Sequence, residues 1–174
     1  RDGTSWSQQA KLVAGDAATY DYFGYSVSIS GDYAVVGAYL DNDGGSYSGS
    51  AYIFVRDGTS WSQQAKLVAG DAAADDWFGY SVSISGDYAV VGAHLDDDGG
   101  SNSGSAYTFV RSGTSWSQQA KLVAGDPYTN DNFGWSVSIS GDYAVVGAHQ
   151  DDDGGSASGS AYTFVRSGTS WSQQ

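Results

Sequence analysis

The sequence has no cysteine, no methionine and no glutamate, and only one proline among its 174 residues. Without cysteine, neither a disulfide framework nor a thiolate metal site can contribute to the fold. Every acidic residue is an aspartate, which favours caps and turns over helix interiors. We therefore expect turns and short extended segments rather than helices. Because even an initiator methionine is absent, we also expect a processed product or part of a longer protein.

Positive charge is scarce as well, with seven basic residues against twenty acidic ones and a net charge of −13. Nucleic-acid backbones and anionic lipid surfaces are bound through clustered lysine or arginine, so neither is an expected partner. No apolar run approaches the ~20 residues of a membrane span, and we expect no membrane insertion. The hydrophobic share of 40% is ample for a packed core, which excludes a disordered acidic tail.

A repeat of 55 residues organises the chain, which we treat as one segment over 1–174. Three copies occupy 1–55, 56–110 and 111–165. Residues 166–174 then begin a partial fourth copy that repeats residues 1–9, apart from Ser167 in place of Asp2. The tetrapeptide Gly-Thr-Ser-Trp marks each start, with its tryptophan at Trp6, Trp61, Trp116 and Trp171.

Each repeat contains four predicted strands. In the first repeat and its continuation they cover Phe23–Ser30, Tyr33–Ala38, Ala51–Arg56 and Trp61–Ala69. The first alternates bulky side chains with glycine and serine, so we expect its bulky face to meet the small face of a neighbouring repeat. The second is apolar on both faces, as in a strand covered on both sides. The fourth carries Lys66, which we interpret as a charge that protects an exposed edge.

Four short antiparallel strands per repeat are typical of the blade of an all-β protein, the β-propeller. A β-trefoil also uses three four-stranded repeats, and a β-prism has similar numbers of repeats and strands, so both remain alternatives. A trefoil shares its strands between a barrel and a cap. Successive hairpin-linked strands with one long loop fit independent sheets better, which favours the propeller.

Two short motifs resemble the FG-GAP repeat of integrin α-chain propellers and of many bacterial surface proteins. In the first repeat these are Phe23-Gly24 and Val36-Gly37-Ala38. They recur as Phe78-Gly79 with Gly92-Ala93, and as Phe133-Gly134 with Gly147-Ala148. The resemblance implies a β-propeller, an extracellular or cell-surface location and a binding role.

The family's calcium loop is not carried over by this resemblance. It lies between the first and second strands, where this chain has only residues 30–33, too few to supply about six to eight oxygen ligands. A separate calcium candidate lies in the loop between the second and third strands. There, aspartates alternate before Gly-Gly-Ser: Asp41 and Asp43, Asp96 and Asp98, Asp151 and Asp153. Calcium is thus a candidate cofactor, with a plain solvated turn as the alternative.

Twelve of the 55 repeat positions differ among the three copies, and nine of the twelve lie in two connections. One connection precedes the first strand and the other joins the second strand to the third, so both emerge at the same face of a blade. Aromatic rings mixed with Asn, Asp and His are typical of surfaces that bind a glycan or a protein. Neutral drift in loops is the alternative. The candidate ligand residues are Tyr20, Tyr22, Tyr39, Asp75, Trp77, His94, Tyr128, Asn130, Asn132 and His149.

No nucleophile, base and orienting group can be named together in this sequence, so we expect a non-enzymatic module. Three blades also fall short of the about four to eight that close a propeller. Because the chain starts on a fourth strand, Trp6–Ala14, and ends on the stub 171–174, we expect two chains to close six blades as a homodimer. The alternatives are a head-to-tail filament, a fragment of a longer array, and a purely structural, self-assembling role.

Overall fold

The computed structural model describes residues 4–174 and contains twelve strands and no helix within that range. Blade 1 consists of β1 (Val27–Ser30), β2 (Tyr33–Ala38), β3 (Ser50–Asp57) and β4 (Ser60–Leu67). Blade 2 consists of β5 (Ser81–Ser85), β6 (Tyr88–Ala93), β7 (Ser105–Ser112) and β8 (Ser115–Leu122). Blade 3 consists of β9 (Phe133–Ser140), β10 (Tyr143–Ala148), β11 (Ser160–Ser167) and β12 (Ser170–Gln173).

The three blades are separate sheets in which every neighbouring pair of strands is antiparallel and spatial order follows chain order. No strand belongs to two sheets among the residues described. This arrangement confirms the predicted all-β, propeller-type blades and disagrees with a β-trefoil or a β-prism. In residues 4–174, no helix is long and apolar enough to cross a membrane.

The first strand of blade 1 is shorter than predicted, because it begins at Val27 instead of Phe23. A positive φ alone does not end this strand, because the same φ of 92° occurs at Gly134 inside β9 and at Gly24 outside β1. The Gly24 N–H still donates to the carbonyl oxygen of Gly37 at 3.0 Å, so the segment stays attached to β2. The predicted third and fourth strands agree with β3 and β4 to within two residues at each end.

Adjacent blades pack through their first strands. Val82 and Ile84 of β5 are 8% and 5% exposed, because they lie against blade 1. Their equivalents Val27 and Ile29 are 69% and 65% exposed, since no blade precedes β1 in residues 4–174. The Ser28 hydroxyl accepts a hydrogen bond from the Ile84 N–H at 3.2 Å. The predicted contact between a bulky face and a serine face is therefore confirmed.

A glycine in the second strand of each blade permits this close stacking. A Cβ on Gly37 would lie 1.9 Å from the carbonyl oxygen of Gly79, and one on Gly92 would lie 2.0 Å from that of Gly134. The equivalent Gly147 of blade 3 meets no following blade. We call the exposed surface of β10 and β11 the C-terminal end face, and the exposed surface of β1 the N-terminal end face.

Residues 6–14 do not form a strand, so the prediction of a fourth strand over Trp6–Ala14 is wrong for the single chain. A strand needs a hydrogen-bonding neighbour, and no third strand lies beside this segment in residues 4–174. The segment nevertheless packs along blade 1. Leu12 and the buried Ala14 contact the cluster that contains Tyr52, and the Trp61 indole N–H donates to the Oε1 of Gln9 at 2.9 Å.

Candidate functional site

The two variable connections meet at one edge of the blades. The Asp75 N–H donates to the carbonyl oxygen of Ser46 at 2.8 Å, and the Trp77 N–H donates to that of Tyr47 at 3.2 Å. The connection that precedes blade 2 therefore lies on the β2–β3 loop of blade 1, and the same contacts recur between blades 2 and 3. We define the loop face as the edge formed by residues 17–25 and 39–49 of the first repeat and their equivalents.

A continuous series of aromatic rings crosses all three blades at the loop face. The ring centroids of Tyr25 and Tyr80 are 4.9 Å apart, and those of Tyr80 and Trp135 are 4.8 Å apart. His94 lies 4.1 Å from Tyr80, and His149 lies 3.9 Å from Trp135. We call this series the aromatic row. Its members are Tyr22, Tyr25, Tyr39, Trp77, Tyr80, His94, Trp135 and His149.

Half of the predicted ligand residues belong to this row, namely Tyr22, Tyr39, Trp77, His94 and His149. The remaining ones lie beside the row on the same face. Tyr20, Asp75, Tyr128 and Asn130 are exposed there, whereas Asn132 is buried and donates to the Oε1 of Gln150 at 3.2 Å. Asn132 is thus a structural residue of the loop and is not open to a ligand.

Three members of the row escaped the sequence analysis: Tyr25, Tyr80 and Trp135. They occupy the same repeat position on the first strand, where alternation predicted packing into the neighbouring blade. In the structure their rings instead pack against one another along the row. Sequence variation could have identified these three residues, because their position is one of the twelve that differ among the repeats.

Four aromatic residues of the loop face have φ angles in the unfavourable left-handed region, namely Tyr20, Tyr22, Tyr47 and Trp77, and the second and fourth of these belong to the row. Tyr22 and Trp77 have φ angles of 55° and 57°, in the left-handed region, where bulky residues are rare. The equivalent residue in the third repeat is Asn132, with a φ of 59°, and asparagine adopts this region at little cost. The backbone therefore suits asparagine at this position, yet two copies carry large rings. Such strain is concentrated at functional sites.

Burial makes His94 a neutral part of the row. Its side chain is 1% exposed, and burial, followed by the charge of His149, lowers the pKa of His94 to about 4. Among the described residues, neither the His94 Nδ1 nor the Trp77 Nε1 has a hydrogen-bond partner. The two rings contact each other edge to face, with centroids 5.5 Å apart. No nucleophile lies in this contact, so the two histidines form part of an aromatic surface.

Three acidic clusters involve the β2–β3 loops, and a lysine fills two of them. In blade 1 the Lys66 Nζ is 2.8 Å from the Oδ2 of Asp16 and 3.0 Å from that of Asp41, and it also binds Asp43. In blade 2, Lys121 binds Asp71, Asp96 and Asp98 in the same way. Lys66 is only 17% exposed, so the interpretation of it as an edge-protecting charge is wrong. Its single positive charge is instead shared among three carboxylates.

Within each of these two clusters, one carboxylate oxygen from each of the three aspartates lies within 4.8 Å of the others. This spacing is close enough to hold a metal ion such as calcium. The lysine ammonium, however, already takes the place of the cation, and calcium does not fit there without displacing it. The remaining contacts of Asp41 are also made within the protein, because it accepts the Asp43 N–H at 3.0 Å and the Tyr52 hydroxyl at 2.8 Å. Burial opposes ionisation of Asp41, but the bonds from Asp43 and Lys66 outweigh it and lower its pKa.

The third cluster differs from the first two. Asp126, Asp151 and Asp153 lie together in blade 3, but no lysine of residues 4–174 binds them. Repulsion from the charges of Asp151 and then Asp126 raises the pKa of Asp153. Asp151 still accepts the Tyr162 hydroxyl at 2.7 Å, as its equivalents do in the other blades. Blade 3 therefore has the same carboxylates without their cation.

Comparison with known families identifies what the repeats are similar to. A family model described as FG-GAP repeat matches residues 6–54, 61–109 and 116–164, one match in each repeat. A comparison with curated proteins found no match. FG-GAP repeats occur in integrin-like adhesion and binding modules, which are generally non-enzymatic, and they are typical of extracellular or surface proteins.

Proposed function

Because the chain belongs to the FG-GAP repeat family, we propose that it is a non-enzymatic binding module whose loop face contacts a glycan or a protein outside the cell. The observation that carries this proposal is the aromatic row, which runs unbroken across three blades. The binding role, the extracellular or cell-surface location and those candidate ligand residues that are accessible on the loop face all form part of the proposal.

The row offers what a recognition surface needs. Tyr22, Tyr25 and Trp135 remain substantially exposed although each ring touches a neighbour. Rings that are already held in place lose little conformational freedom when a ligand binds, which lowers the entropic cost of association. Asp75 and Asn130 lie exposed beside the row and supply polar groups at its edge. Apolar rings with a polar edge are the usual composition of a binding surface.

The strained backbone supports a role in binding over neutral drift. Random exchange at the position of Tyr22, Trp77 and Asn132 should favour residues that tolerate a positive φ. Two of the three copies instead hold a large ring, and both rings join the row. Left-handed backbone costs a non-glycine residue roughly 1–2 kcal/mol, and Tyr22 and Trp77 bear this cost at positions where their rings extend the row.

Replacement of Trp77 by asparagine tests the proposal, because asparagine fits the positive φ and removes only the ring. The wild type is screened on a glycan array and against a panel of purified extracellular proteins. We expect a ligand whose dissociation constant rises at least about tenfold in Trp77→Asn. Tyr47→Asn is the matched control, because Tyr47 also has a positive φ but lies outside the row. No wild-type ligand on either panel would contradict the proposal, and equal weakening by both variants would contradict its assignment to the aromatic row.

A structural, self-assembling role is a second candidate function. It is favoured by the two end faces, which expose apolar side chains such as Val27, Ile29 and Val145, whose equivalents in the neighbouring blades are buried. This function requires no external ligand. It predicts association that depends on protein concentration and is indifferent to Trp77→Asn.

A further inference from the structure

The outer edge of blade 3 is less complete than those of blades 1 and 2. In blade 1, β4 pairs with β3 from Asp57 down to Ala51. In blade 3, β12 pairs with β11 only over Phe164–Ser167, and the Gln174 N–H adds one bond to the carbonyl oxygen of Thr163. The remaining part of β11 has no outer neighbour in residues 4–174. The absent stretch of fourth strand is the part that carries the lysine in the other two blades.

The same chain contains a copy of this stretch that does not form a strand in residues 4–174. Residues 10–14 have the sequence Ala-Lys-Leu-Val-Ala, identical to residues 65–69 and 120–124. Lys11 is exposed and forms no ion pair with residues 4–174, whereas Lys66 and Lys121 each bind three aspartates. Leu12 and Ala14 pack on blade 1, at the opposite end of the series of blades from blade 3.

The two end faces are equivalent to the two sides of an internal blade contact. Val27 and Ile29 of the N-terminal end face correspond to Val82 and Ile84, which are buried against blade 1. On the C-terminal end face, the exposed Val145 corresponds to Val90, which is completely buried. A second molecule that places its blade 1 on blade 3 therefore repeats a contact that the chain already makes twice. In that arrangement its residues 10–14 continue the fourth strand of blade 3, as residues 65–69 do in blade 1.

We propose that blade 3 is the docking site for a second copy of this 174-residue chain, whose Lys11 enters between Asp126, Asp151 and Asp153. The carboxylates of the third cluster and the charge of Lys11 are complementary, and each is without such a partner in residues 4–174. Two copies that dock in this way at both ends bring six blades together, within the about four to eight of closed propellers. This proposal is independent of the ligand proposed for the loop face.

The duplicated sequence sets a condition on this docking. Residues 6–9 of the second copy and the stub 171–174 of the first have the same sequence and fit the same part of β11. Only one of them can pair there, and the other is displaced. Removal of residues 1–8 takes away the competitor and keeps Lys11, so we expect this truncated chain to associate at least as tightly as the whole chain.

Sedimentation of the 174-residue chain over a range of concentrations tests the docking. We expect a wild-type dimer that dissociates at least about tenfold more readily in Asp153→Asn or Lys11→Asp, because each removes part of the ion cluster. Asp152→Asn is the matched control. It makes the same charge change on the same loop, but the Asp152 Oδ1 only accepts the Ala157 N–H. We expect its association to match that of the wild type.

A mixture of Lys11→Asp with Asp153→Lys separates a direct contact from a general effect of charge. Each variant alone should associate weakly. In a mixed dimer, one contact pairs the introduced aspartate with the introduced lysine and the other is the wild-type contact, so association should recover. Wild-type protein that stays monomeric at high micromolar concentration would overturn the proposal. So would equal weakening by Asp152→Asn and Asp153→Asn, or failure of the mixture to recover. An assembly larger than a dimer with the same pattern of effects would still support the contact.

Discussion

The Nζ of Lys66 lies 3.0 Å from the Oδ2 of Asp41, a carboxylate that is only 5% exposed. The two residues are 25 positions apart, and the same lysine also holds Asp16, which is 50 positions away. One side chain thus ties the fourth strand to the β2–β3 loop and to the connection before β1. The cluster stabilises the loops that carry the aromatic row.

Removal of this lysine should destabilise blade 1. Lys66→Met keeps the length of the side chain but leaves the buried Asp41 without its cation. Breaking a buried pair on one side costs about 3–5 kcal/mol, and the partial exposure of Asp16 and Asp43 places the expected loss near 3 kcal/mol. Urea unfolding at low protein concentration measures it. Lys11→Met is the control, because Lys11 has the same repeat position and no ion pair in residues 4–174. Equal effects of the two variants would contradict the ion-cluster account.

Calcium should affect the Lys66→Met variant more than the wild type. In the wild type the ammonium fills the first cluster, whereas in the variant three carboxylates within 4.8 Å of one another have lost their counter-charge. Binding to the folded state alone raises stability in proportion to the logarithm of ligand concentration. The melting temperature with and without millimolar calcium provides the measurement. A calcium-induced rise of the same size in both proteins would show that the ion binds elsewhere.

Protonation of His94 should weaken the fold in mild acid. Its pKa is about 4 in the folded protein and near 6.5 in the unfolded chain. Between these values the unfolded state binds more protons, so the free energy of unfolding falls as the pH drops from 6.5 to 4. The loss from this one group is roughly 3 kcal/mol at most.

Asp76 changes the free energy of unfolding in the opposite direction over the same pH range. Burial, supported by the charge of Asp96, raises its pKa to about 6, so its contribution to stability grows as the pH falls. His94→Tyr isolates the histidine, since Tyr39 is the natural residue at that position in the first repeat. Relative to the variant, the wild type should lose stability progressively between pH 6.5 and pH 4. A difference between the two proteins that does not change with pH would contradict the burial of a neutral His94.

A methyl group should be far more costly at Gly37 than at Gly147. Both glycines lie next to a serine hydroxyl, but only the Cβ of a Gly37→Ala variant would meet the carbonyl oxygen of the next blade, at 1.9 Å. Backbone cannot move aside as a side chain can, so we expect a loss of at least about 2 kcal/mol for Gly37→Ala. Gly147→Ala should leave monomer stability almost unchanged. Similar losses for the two variants would argue against the stacking of blades 1 and 2.

Local patterns in the sequence were sufficient to predict the blades. The alternation through Val27 and Ile29, the apolar strand at Tyr33–Ala38 and the single long loop all depend on neighbouring residues. Contacts over long separations were not accessible in this way. Lys66 has its partners 23, 25 and 50 residues away, and it was therefore misinterpreted as an edge charge.

The aromatic row could be predicted only in part for the same reason. Variation among the repeats located Tyr22, Trp77 and His94 on one face, because the two variable connections share that face. The inclusion of Tyr25 and Trp135 depends on how far one blade is turned against the next, which alternation within a strand does not determine.

Fluorine NMR of protein labelled with 5-fluorotryptophan tests the central claim, ligand binding at the aromatic row, most directly. The chain has six tryptophans, of which Trp77 and Trp135 lie in the row. The other four are the repeat tryptophans Trp6, Trp61, Trp116 and Trp171. During titration with a ligand from the glycan or protein panel, we expect the signals of Trp77 and Trp135 to shift and saturate while the other four stay in place. A ligand that binds but shifts only the repeat tryptophans would contradict the account.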